Sequence, residues 1–436
     1  MSERIFVGVR KVRCAIVTGF LFAFIVLAPA LTQPQEVWTL ERSVQRVLEI
    51  APEARAARAE VKAREGALSQ AGVWPNPEFE LRGDDKIGKD ADAGGFDFTQ
   101  FVFNQPLPLS GRMGVQRDLA GAELRSAEAE RLYQNLLLEV QGSQRFHALQ
   151  LAAANLRLAE QRLQLANELQ QTGRRREQAG DLSRLERLRL DLIRESAQQI
   201  LDRAEGEYHE ALSRFRAHLM LPTEMVPDMV PLEPFSPIPV LEALQAELPR
   251  HPALLAAKHR LTASRAGVDL VRTERLPDPV LSLYRERDFL NERRQDVNGI
   301  GIGITVPLWD RKSGRLRETR AQVDQASSGI EVLERNLSAG LKKSHLHLTH
   351  LVKQGKHYQS NVLEPAQTVF DLTRKAYAAG ELEILALIDA NNTYFDANER
   401  YLELLQEAWL EAAELRLAAG RSLLTTTKVI EETDHE

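Results

Sequence analysis

The sequence has a single cysteine, Cys14, among its 436 residues. One thiol cannot form an internal disulfide, and Cys14 lies in an amino-terminal segment that we expect to be cleaved off. Disulfides and thiolate–metal chemistry are therefore excluded from the mature chain. Aromatic residues are also scarce, at 6%, whereas Ala, Leu, Glu, Arg and Gln are abundant. This composition favours long helices that pack through small and branched side chains.

Long apolar runs are missing after residue 30, where no stretch reaches the roughly 18 residues of a membrane-spanning helix. Before residue 30 the pattern differs, because cations precede an apolar run at 15–27 and an Ala-Pro-Ala sequence follows it at 28–30. This order is typical of a cleaved secretory signal, which we predict over residues 1–30. A retained membrane anchor is the alternative, and the polar residues at 33, 35 and 36 disfavour it.

The chain also lacks the patterns of a nucleic-acid-binding protein or an enzyme. Its formal net charge is −6, and removal of the basic signal makes it more acidic, which argues against a nucleic-acid partner. No Ser/His/Asp arrangement, phosphate-binding glycine loop or clustered ligand set is present, so we expect neither catalysis nor a cofactor. Of His345, His347 and His350, only the last two share a helix face. We interpret them as helix-surface residues rather than as a metal site.

What is present is an internal duplication. Four short motifs recur in the same order at offsets of 200 to 202 residues: Ala51-Pro52 as His251-Pro252, Trp74-Pro75-Asn76-Pro77 as Leu276-Pro277-Asp278-Pro279, Pro106-Leu107-Pro108 as Pro307-Leu308-Trp309, and Ala179-Gly180-Asp181-Leu182 as Ala379-Gly380-Glu381-Leu382. We therefore predict one structural repeat over residues 31–220 and a second over residues 240–425. A proline-rich connector, residues 221–239, joins them, and residues 426–436 form a polar tail.

Both halves have the same predicted plan. A first helix covers about 38–73 and, in the copy, about 240–275. A pair of strands follows, and then a long helix covers about 110–172 and, in the copy, about 310–376. At 1.5 Å per residue the first long helix spans roughly 95 Å, a length that suits a coiled coil. An antiparallel helix completes each half.

The long helices carry a coiled-coil pattern. Leu149, Leu156 and Leu163 recur every seven residues, and each has an alanine three residues later, as in a seam with alanine at position d. Gly180 and Gly380 end the long helices. On the antiparallel helix of the first half, three leucines are expected to face inward: Leu185, Leu188 and Leu192.

Alternation of apolar and polar residues predicts four strands, each with one apolar face. The apolar positions are Phe79 and Leu81, Phe96 and Phe98, Leu281 and Leu283, and Ile300, Ile302 and Ile304. Phe101 and Phe103 fall on the face opposite to Phe96 and Phe98, so this strand has either a bulge or a different register. The polar segments 83–95 and 288–298 are predicted to be exposed loops at the hairpin ends.

The number of strands limits how they could cross a membrane. Residues 298–306 are near the length of a tilted membrane-spanning strand. Four strands cannot close a barrel, for which about eight are the practical minimum, and an open sheet edge is not tolerated in a membrane. If the strands span a membrane, several chains must share the barrel. A duct built from several copies accommodates both these strands and the long helical hairpins.

The sequence resembles the TolC-like outer-membrane efflux proteins, and more closely their CzcC-like branch, which is associated with heavy-metal efflux. The resemblance covers essentially all of the chain after the signal. Its motifs are Trp74-Pro75-Asn76-Pro77-Glu78, Gln105-Pro106-Leu107-Pro108-Leu109-Ser110-Gly111-Arg112, Val306-Pro307-Leu308-Trp309 and the two tip motifs. The most specific is the second tip, Tyr377-Ala378-Ala379-Gly380-Glu381-Leu382, which leads to Leu387-Ile388-Asp389-Ala390.

The resemblance implies a mainly α fold with a small β part. Three identical chains would share a 12-stranded β-barrel in the outer membrane, in contact with lipid, and long antiparallel coiled coils would form an α-barrel that projects into the periplasm of a Gram-negative bacterium. The helical tips would dock onto a periplasmic adaptor protein and an inner-membrane pump of the RND type. The implied function is a passive exit duct, and the branch implies heavy-metal cations as cargo. A duct for drugs or secreted polypeptides and a periplasmic coiled-coil adaptor or scaffold are the alternatives.

The resemblance also assigns roles at the tips. Asp389 and Glu186 match acidic positions that narrow the periplasmic entrance in the family, and Tyr377 matches a tyrosine of the same gate. Ala386 and Leu382 stand where the family has a second aspartate and an arginine, which implies a weaker or differently built gate. The residues assigned to adaptor docking are Gly180, Asp181, Leu182, Gly380, Glu381, Leu382, Arg174, Arg175 and Arg176.

Local helix chemistry offers a second explanation for several of these residues. Ser183 and Glu186 have the spacing of a capping box that starts a helix. Asp389 lies several residues into its helix, where a solvated helix face is the alternative to a gate. The three arginines at 174–176 have the alternative role of cations that complement a helix carboxyl terminus.

Overall fold

The computed structural model of the chain describes residues 37–84, 97–235, 237–290 and 293–424. The predicted signal (1–30), the predicted polar tail (426–436) and Phe96 lie outside these residues. No helix in the described ranges is long and apolar enough to cross a membrane.

The elements follow one another twice in the same order, helix, strand pair and long helical hairpin. Their bounds are α1 Leu40–Ile50, α2 Pro52–Gln70, β1 Glu78–Asp84, β2 Asp97–Pro106, α3 Arg112–Ala179, α4 Arg184–His218, α5 Leu241–Gln245, α6 Pro252–Thr273, β3 Val280–Leu290, β4 Arg293–Gly303, α7 Ser313–Tyr358, α8 Glu364–Ala379 and α9 Ile384–Ala419. A 3-10 turn, Leu248–Arg250, precedes α6, and a π-helical turn, Gln359–Leu363, separates α7 from α8.

The first helix of each half is broken at the proline of the recurring dipeptide. The expected continuous helices over 38–73 and 240–275 are therefore wrong. Proline lacks an amide hydrogen and disfavours helical geometry in the residue before it. Ala51 and His251 accordingly have extended ψ angles of 133° and 128°, and Pro52 and Pro252 each begin a new helix.

The four strands form one antiparallel sheet in the order β1-β2-β3-β4. The register skips Thr99 of β2, because Arg82 pairs with Gln100 and Gly83 with Phe98. This bulge explains why the phenylalanines before and after Thr99 do not keep a period of two.

The second hairpin is longer than expected. Pairing of β3 with β4 continues from Val280 opposite Gly303 to Leu290 opposite Arg293, so most of the segment 288–298, predicted to be a loop, is strand. Cross-strand pairs of opposite charge stabilise such a hairpin. At its other end β4 stops at Gly303, and Ile304, which was predicted to belong to the strand, lies one residue beyond it.

The two long helices differ in regularity. With 68 residues, α3 extends for about 100 Å. Its counterpart over 310–376 was predicted to be one helix, and it is helical from Ser313 to Ala379, with one π-helical turn between α7 and α8. Pro365, in the first turn of α8, has no amide hydrogen for a regular helical bond. Gly180 and Gly380 end α3 and α8 with φ angles of +82° and +80°, a left-handed conformation that favours glycine.

The predicted seam joins α3 to α4. Leu149 and the alanines at 152, 159 and 166 are buried, and Leu156 and Leu163 are half-buried. The partner seam on α4 consists of Leu190, Ala197 and Ala204, which are also seven residues apart and buried. The expectation that Leu185, Leu188 and Leu192 face inward is therefore wrong, because they lie off this seam. Their side chains are 62%, 44% and 71% exposed.

The connector packs across the helices near the middle of the hairpins. The amide of Trp38 donates to Asp228 O at 2.7 Å, and Gln150 Nε2 donates to Val230 O at 2.7 Å. On the other half, Trp409 Nε1 donates to Glu233 O at 2.7 Å. A buried core lies beneath, formed by Trp38, Val44, Val47, Leu138, Phe146, Leu149, Leu212 and Phe215.

Candidate functional site

The first tip is the turn between α3 and α4. Ser183 and Glu186 form a capping box, in which Ser183 Oγ accepts a hydrogen bond from the amide of Glu186 at 3.2 Å and Glu186 Oε2 accepts one from the amide of Ser183 at 3.0 Å. The hydrogen bonds from Ser183 lower the pKa of the Glu186 carboxyl. The capping role of Glu186 is thus present in the structure, and its role in a gate stays a prediction.

Ionic contacts that the sequence did not predict hold this tip together. Arg187 of α4 contacts Glu177 of α3 at 3.0 Å and also pairs with Asp191. Arg174 lies 3.6 Å from Asp191, and Gln170 Nε2 donates to the same carboxylate at 2.8 Å. Asp191 therefore binds α3 to α4. Its i, i+4 spacing from Arg187 is visible in the sequence, but its contacts with α3 depend on the pairing of the helices.

The second tip, between α8 and α9, is held by apolar and aromatic contacts. Tyr377 is only 5% exposed. Phe370 stacks on Tyr394, with ring centroids 5.0 Å apart and planes within 10°. The shared core of the two tips is formed by Leu169, Leu190, Phe370, Tyr377, Ile384 and Leu387. The two hairpins therefore pack against each other at the tips.

Two arginines of α3 connect the hairpins directly. The guanidinium of Arg176 lies 4.7 Å from the centroid of the Tyr377 ring, and its Nη2 donates to Tyr377 O at 3.4 Å. Farther from the tip, Arg162 Nη2 donates to Asn392 Oδ1 at 2.9 Å, and Nη1 lies 3.4 Å from Asp396. Of the three predicted tip arginines, Arg176 thus contacts the second hairpin, whereas Arg174 and Arg175 contact residues of the first.

The other predicted gate and docking residues lie on the surface of the tips. Asp389 is exposed, and its carboxylate makes no hydrogen bond or ion pair among the described residues. Ala386 and Leu382 are exposed as well. Gly180, Asp181, Gly380 and Glu381 form the two turns, and Leu182 packs beside the shared core. The structure brings Tyr377 and Arg176 together but leaves Asp389 and Glu186 without a common partner.

Six of the predicted strand residues lie on one face of the sheet, called the apolar face here: Phe79, Leu81, Leu281, Leu283, Ile300 and Ile302. Phe79, Phe103, Leu283 and Ile300 are aligned in one row across all four strands, and Leu281 pairs with Ile302 in the row nearer the helices. Phe79, Leu81, Ile300 and Ile302 are 62% to 76% exposed. The opposite face carries polar residues such as Glu80, Arg82, Asn104, Ser282 and Glu286. This face also has Tyr284, whose ring covers Gly299.

The three histidines of α7 do not converge. His345 Nε2 lies 2.9 Å from Pro239 O in the connector, and His347 Nδ1 lies 2.8 Å from Glu411 Oε2 of α9. His350 is exposed. In the part of the chain that the structure describes, no group of three metal-ligating side chains is close enough to hold an ion.

Sequence comparison gives a family for most of the chain. A family model described as "Outer membrane efflux protein" matches residues 43–219 and 243–421. The chain is 26% identical over 379 residues to the cobalt-zinc-cadmium resistance protein CzcC of Cupriavidus metallidurans, covering 84% of this chain and 86% of that protein. It is 23% identical over 390 residues to the pyoverdine export outer membrane protein OpmQ of Pseudomonas putida, covering 84% of this chain and 81% of that protein.

Structural comparison gives the same fold. The open state of the MtrE outer membrane channel of Neisseria gonorrhoeae matches with a TM-score of 0.72, covering 88% of this chain and 89% of that chain at 18% identity. The prediction of a mainly helical chain with a small antiparallel sheet is confirmed.

Proposed function

The chain belongs to the outer membrane efflux protein family, and we propose that three copies of it form a passive exit duct through the periplasm and outer membrane of a Gram-negative bacterium. The sheet carries this proposal. Within the described residues β1 and β4 each pair on one side only, and the apolar face is exposed. An open edge in hydrocarbon leaves backbone groups without partners, and four strands cannot close on themselves. Three copies supply twelve strands.

The helices support the same proposal. At about 100 Å, α3 is more than three times as long as the roughly 30 Å hydrocarbon core of a bilayer. The hairpins α3–α4 and α8–α9 therefore extend far from the sheet, as a duct that crosses the periplasm requires. We propose that their tips dock onto a periplasmic adaptor and an RND-type pump through Gly180, Asp181, Leu182, Gly380, Glu381, Leu382 and Arg174–Arg176.

The tips also supply a proposed gate. Asp389 is an exposed carboxylate with no partner among the described residues, so it is available to neighbouring copies around a pore. Tyr377 is buried where the two hairpins meet, and any separation of the hairpins must disturb it. Glu186 lies at the first tip, with its carboxylate engaged in the capping box of α4. We propose that these three residues form the periplasmic gate. The gate lacks the charges of the family's second aspartate and arginine, because Ala386 and Leu382 stand at those positions.

For the cargo we propose heavy-metal cations, with the pump selecting them. The support is the similarity to CzcC, a cobalt-zinc-cadmium resistance protein. OpmQ, at 23% identity, is a pyoverdine export protein, so an organic cargo is the second candidate. A passive exit duct needs no catalytic residue, and we assign none.

Membrane fractionation followed by a heat-shift gel tests the duct. We expect the protein in the outer-membrane fraction as a detergent-stable trimer that falls to monomer on boiling. Recovery in the soluble periplasmic fraction without a trimer would contradict the proposal and favour a periplasmic adaptor. A deletion strain tests the cargo separately. We expect increased sensitivity to cobalt, zinc or cadmium that the intact gene reverses, and unchanged metal sensitivity would overturn the metal assignment but not the duct.

A further inference from the structure

The polar face of the sheet has a row of residues without positive charge at its helical end. The row contains one residue of each strand, because Glu78 pairs with Asn104, Asn104 with Ser282, and Ser282 with Gly301. Since β1 begins at Glu78, the row lies where the chain enters the sheet from α2. It therefore presents a carboxylate, an amide and a hydroxyl at the junction of the sheet with the helices.

Glu78 keeps its full charge in this row. Its side chain is exposed and makes no hydrogen bond or ion pair among the described residues. The amide and the hydroxyl bond to each other, since Ser282 Oγ donates to Asn104 Oδ1 at 2.6 Å. Glu80, in the next row, differs from Glu78 because Arg82 Nε lies 2.8 Å from its Oε1. The sheet thus neutralises Glu80 locally but not Glu78.

The edge strand β4 leaves room for this carboxylate in the proposed ring of copies. On the polar face β4 carries Gly299, Gly301 and Gly303 towards the helices. A β-carbon at Gly303 would have no atom within 4 Å, and one at Gly301 would reach Ser282 at 3.8 Å. If β1 of one copy pairs with β4 of the next, no side chain of β4 covers Glu78 in any register that places it opposite one of these glycines.

The size of the proposed barrel brings this charge close to the path of every ion. The apolar face would be directed at lipid, so the polar face would line the pore. Twelve strands about 4.8 Å apart and tilted by about 40° close at a radius of roughly 12 Å. A glutamate side chain shortens the remaining distance to the axis to about the Debye length, which is about 8 Å at physiological ionic strength. An ion on the axis is therefore within the field of three carboxylates.

We propose that the three copies of Glu78 make the barrel end of the duct selective for cations. Rings of carboxylates attract cations and repel anions, and they need not bind either tightly. The ring is separate from the gate proposed at the tips, because it lies at the other end of α3. This assignment rests on the proposed trimeric duct. It deepens the proposed cargo to cations as a class and disfavours an anionic organic cargo.

Reversal potentials in planar bilayers under a KCl gradient test the proposal. We expect the wild-type trimer to prefer potassium over chloride, and Glu78→Gln to lower the permeability ratio several-fold. Glu78→Asp should keep the preference because it keeps the charge, whereas Glu78→Lys should reverse it. An equal permeability ratio in wild type and Glu78→Gln, or a wild type that prefers chloride, would overturn the proposal.

Cysteine labelling shows whether the charge acts from inside the pore. In Glu78→Cys, a sulfonate-bearing methanethiosulfonate should restore cation preference, and a trimethylammonium-bearing one should lower it further. Phe79→Cys is the matched control, since Phe79 is the next residue and lies on the apolar face with 65% exposure. Neither reagent should change the permeability ratio of Phe79→Cys. Equal effects at both positions would contradict the assignment of the polar face to the pore.

Failure of the selectivity and failure of the duct give different results. A heat-shift gel and the total conductance are recorded for each protein before the reversal potential. A wild type that forms no trimer or conducts no current would contradict the duct. A conducting trimer whose permeability ratio is unaffected by the charge at position 78 would contradict the selectivity ring alone.

Discussion

At the scale of single residues, His147 is buried where α3, α9 and the connector meet. Its ring stacks on Trp409 with centroids 5.1 Å apart, and its Nδ1 lies 2.8 Å from Gln150 Oε1. Burial lowers the pKa of His147 to about 4, although the hydrogen bond with Gln150 raises it, and the nearby Arg416 also lowers it. In the folded chain this histidine is therefore neutral through the mildly acidic range.

This burial predicts a loss of stability in acid. The unfolded chain binds a proton near pH 6.5 and the folded chain only near pH 4, so the contribution of His147 is fully present above about pH 6.5 and is lost as the pH falls towards 4. Between pH 7 and pH 5 the loss is about 2 kcal/mol. Denaturant unfolding followed by circular dichroism at both pH values measures it, as the difference between wild type and His147→Gln.

A difference measurement is needed because a neighbouring carboxyl acts in the opposite direction. Burial raises the pKa of Glu139, although hydrogen bonds from Ser422 and the amide of Leu423 lower it. The folded state therefore holds the Glu139 proton to higher pH than the unfolded state, and this contribution declines as the pH rises. His209→Gln, at an exposed position of α4, is the control for replacing any histidine. An equal pH dependence in His147→Gln and wild type would contradict the assignment to His147.

The proposed gate gives a second prediction at this scale. Asp389→Asn removes an exposed charge without changing the size of the side chain, and we expect several-fold higher passive conductance in a planar bilayer. Glu186→Gln tests the other carboxylate cleanly, because glutamine also completes a capping box and keeps the start of α4. Asp202→Asn, on the exposed surface of α4, should conduct like wild type. Wild-type conductance in Asp389→Asn would remove this residue from the gate.

At the scale of secondary-structure elements, the contact between Arg176 and Tyr377 links the two hairpins. A guanidinium over an aromatic ring at a partly exposed site contributes about 0.5–1 kcal/mol. A double-mutant cycle of Arg176→Ala and Tyr377→Leu should therefore give a coupling of that size. Hydrogen exchange of the amides in both tips supplies the opening free energies. Arg175→Ala is the matched control, because Arg175 contacts Thr172 of its own helix, and a coupling near zero for Arg176 would contradict the link.

The elements that the sequence predicts well are those whose signals are local. Glycine at 180 and 380 fixes the ends of the long helices through its left-handed backbone, and the heptads of Leu149 and its neighbours locate the α3 seam. The alternation on β1 and β4 identifies the apolar face. Each signal depends on residues within one or two turns of helix, or within one strand.

The elements that the sequence mispredicts depend on contacts between distant segments. The charged composition of 288–298 is typical of a loop. The segment is strand because residues such as Arg285 and Asp296 pair across the hairpin. The spacing of Leu185, Leu188 and Leu192 resembles that of a buried stripe. In the structure, however, α3 packs against Leu190 and its heptad partners. At the tips, the sequence locates Tyr377 and Arg176, but their contact across 201 residues follows only from the packing of the hairpins.

At the scale of the whole molecule, the open edges of the sheet predict where copies join. β4 of one copy should pair with β1 of the next. A chain with Phe79→Cys and Ile302→Cys carries both cysteines on the apolar face, and oxidation should give cross-linked dimers and trimers on a denaturing gel. The single native cysteine, Cys14, lies in the predicted signal, so a chain cleaved as predicted has no other thiol. Position 302 is one of several to be scanned, since the pairing register between β4 of one copy and β1 of the next is set only when the copies assemble.

A control for this cross-link comes from the alternation of the strand. Gly301 pairs with Ser282 on the polar face of the sheet, so Phe79→Cys with Gly301→Cys should not cross-link. Cross-links at 300, 302 and 301 alike would indicate random collision rather than an ordered junction. Cross-linked products no larger than a dimer would contradict a closed ring of three copies.

The two open edges also have a genetic consequence. A ring closes only when every strand edge in it is paired. One copy with a damaged β1 or β4 therefore prevents two intact copies from forming a closed ring. If sound and damaged copies are made in equal amounts and mix at random, roughly one ring in eight contains sound copies alone. Mutations at the sheet edges are therefore expected to be dominant when expressed beside the normal gene, whereas mutations that prevent export of the chain are expected to be recessive.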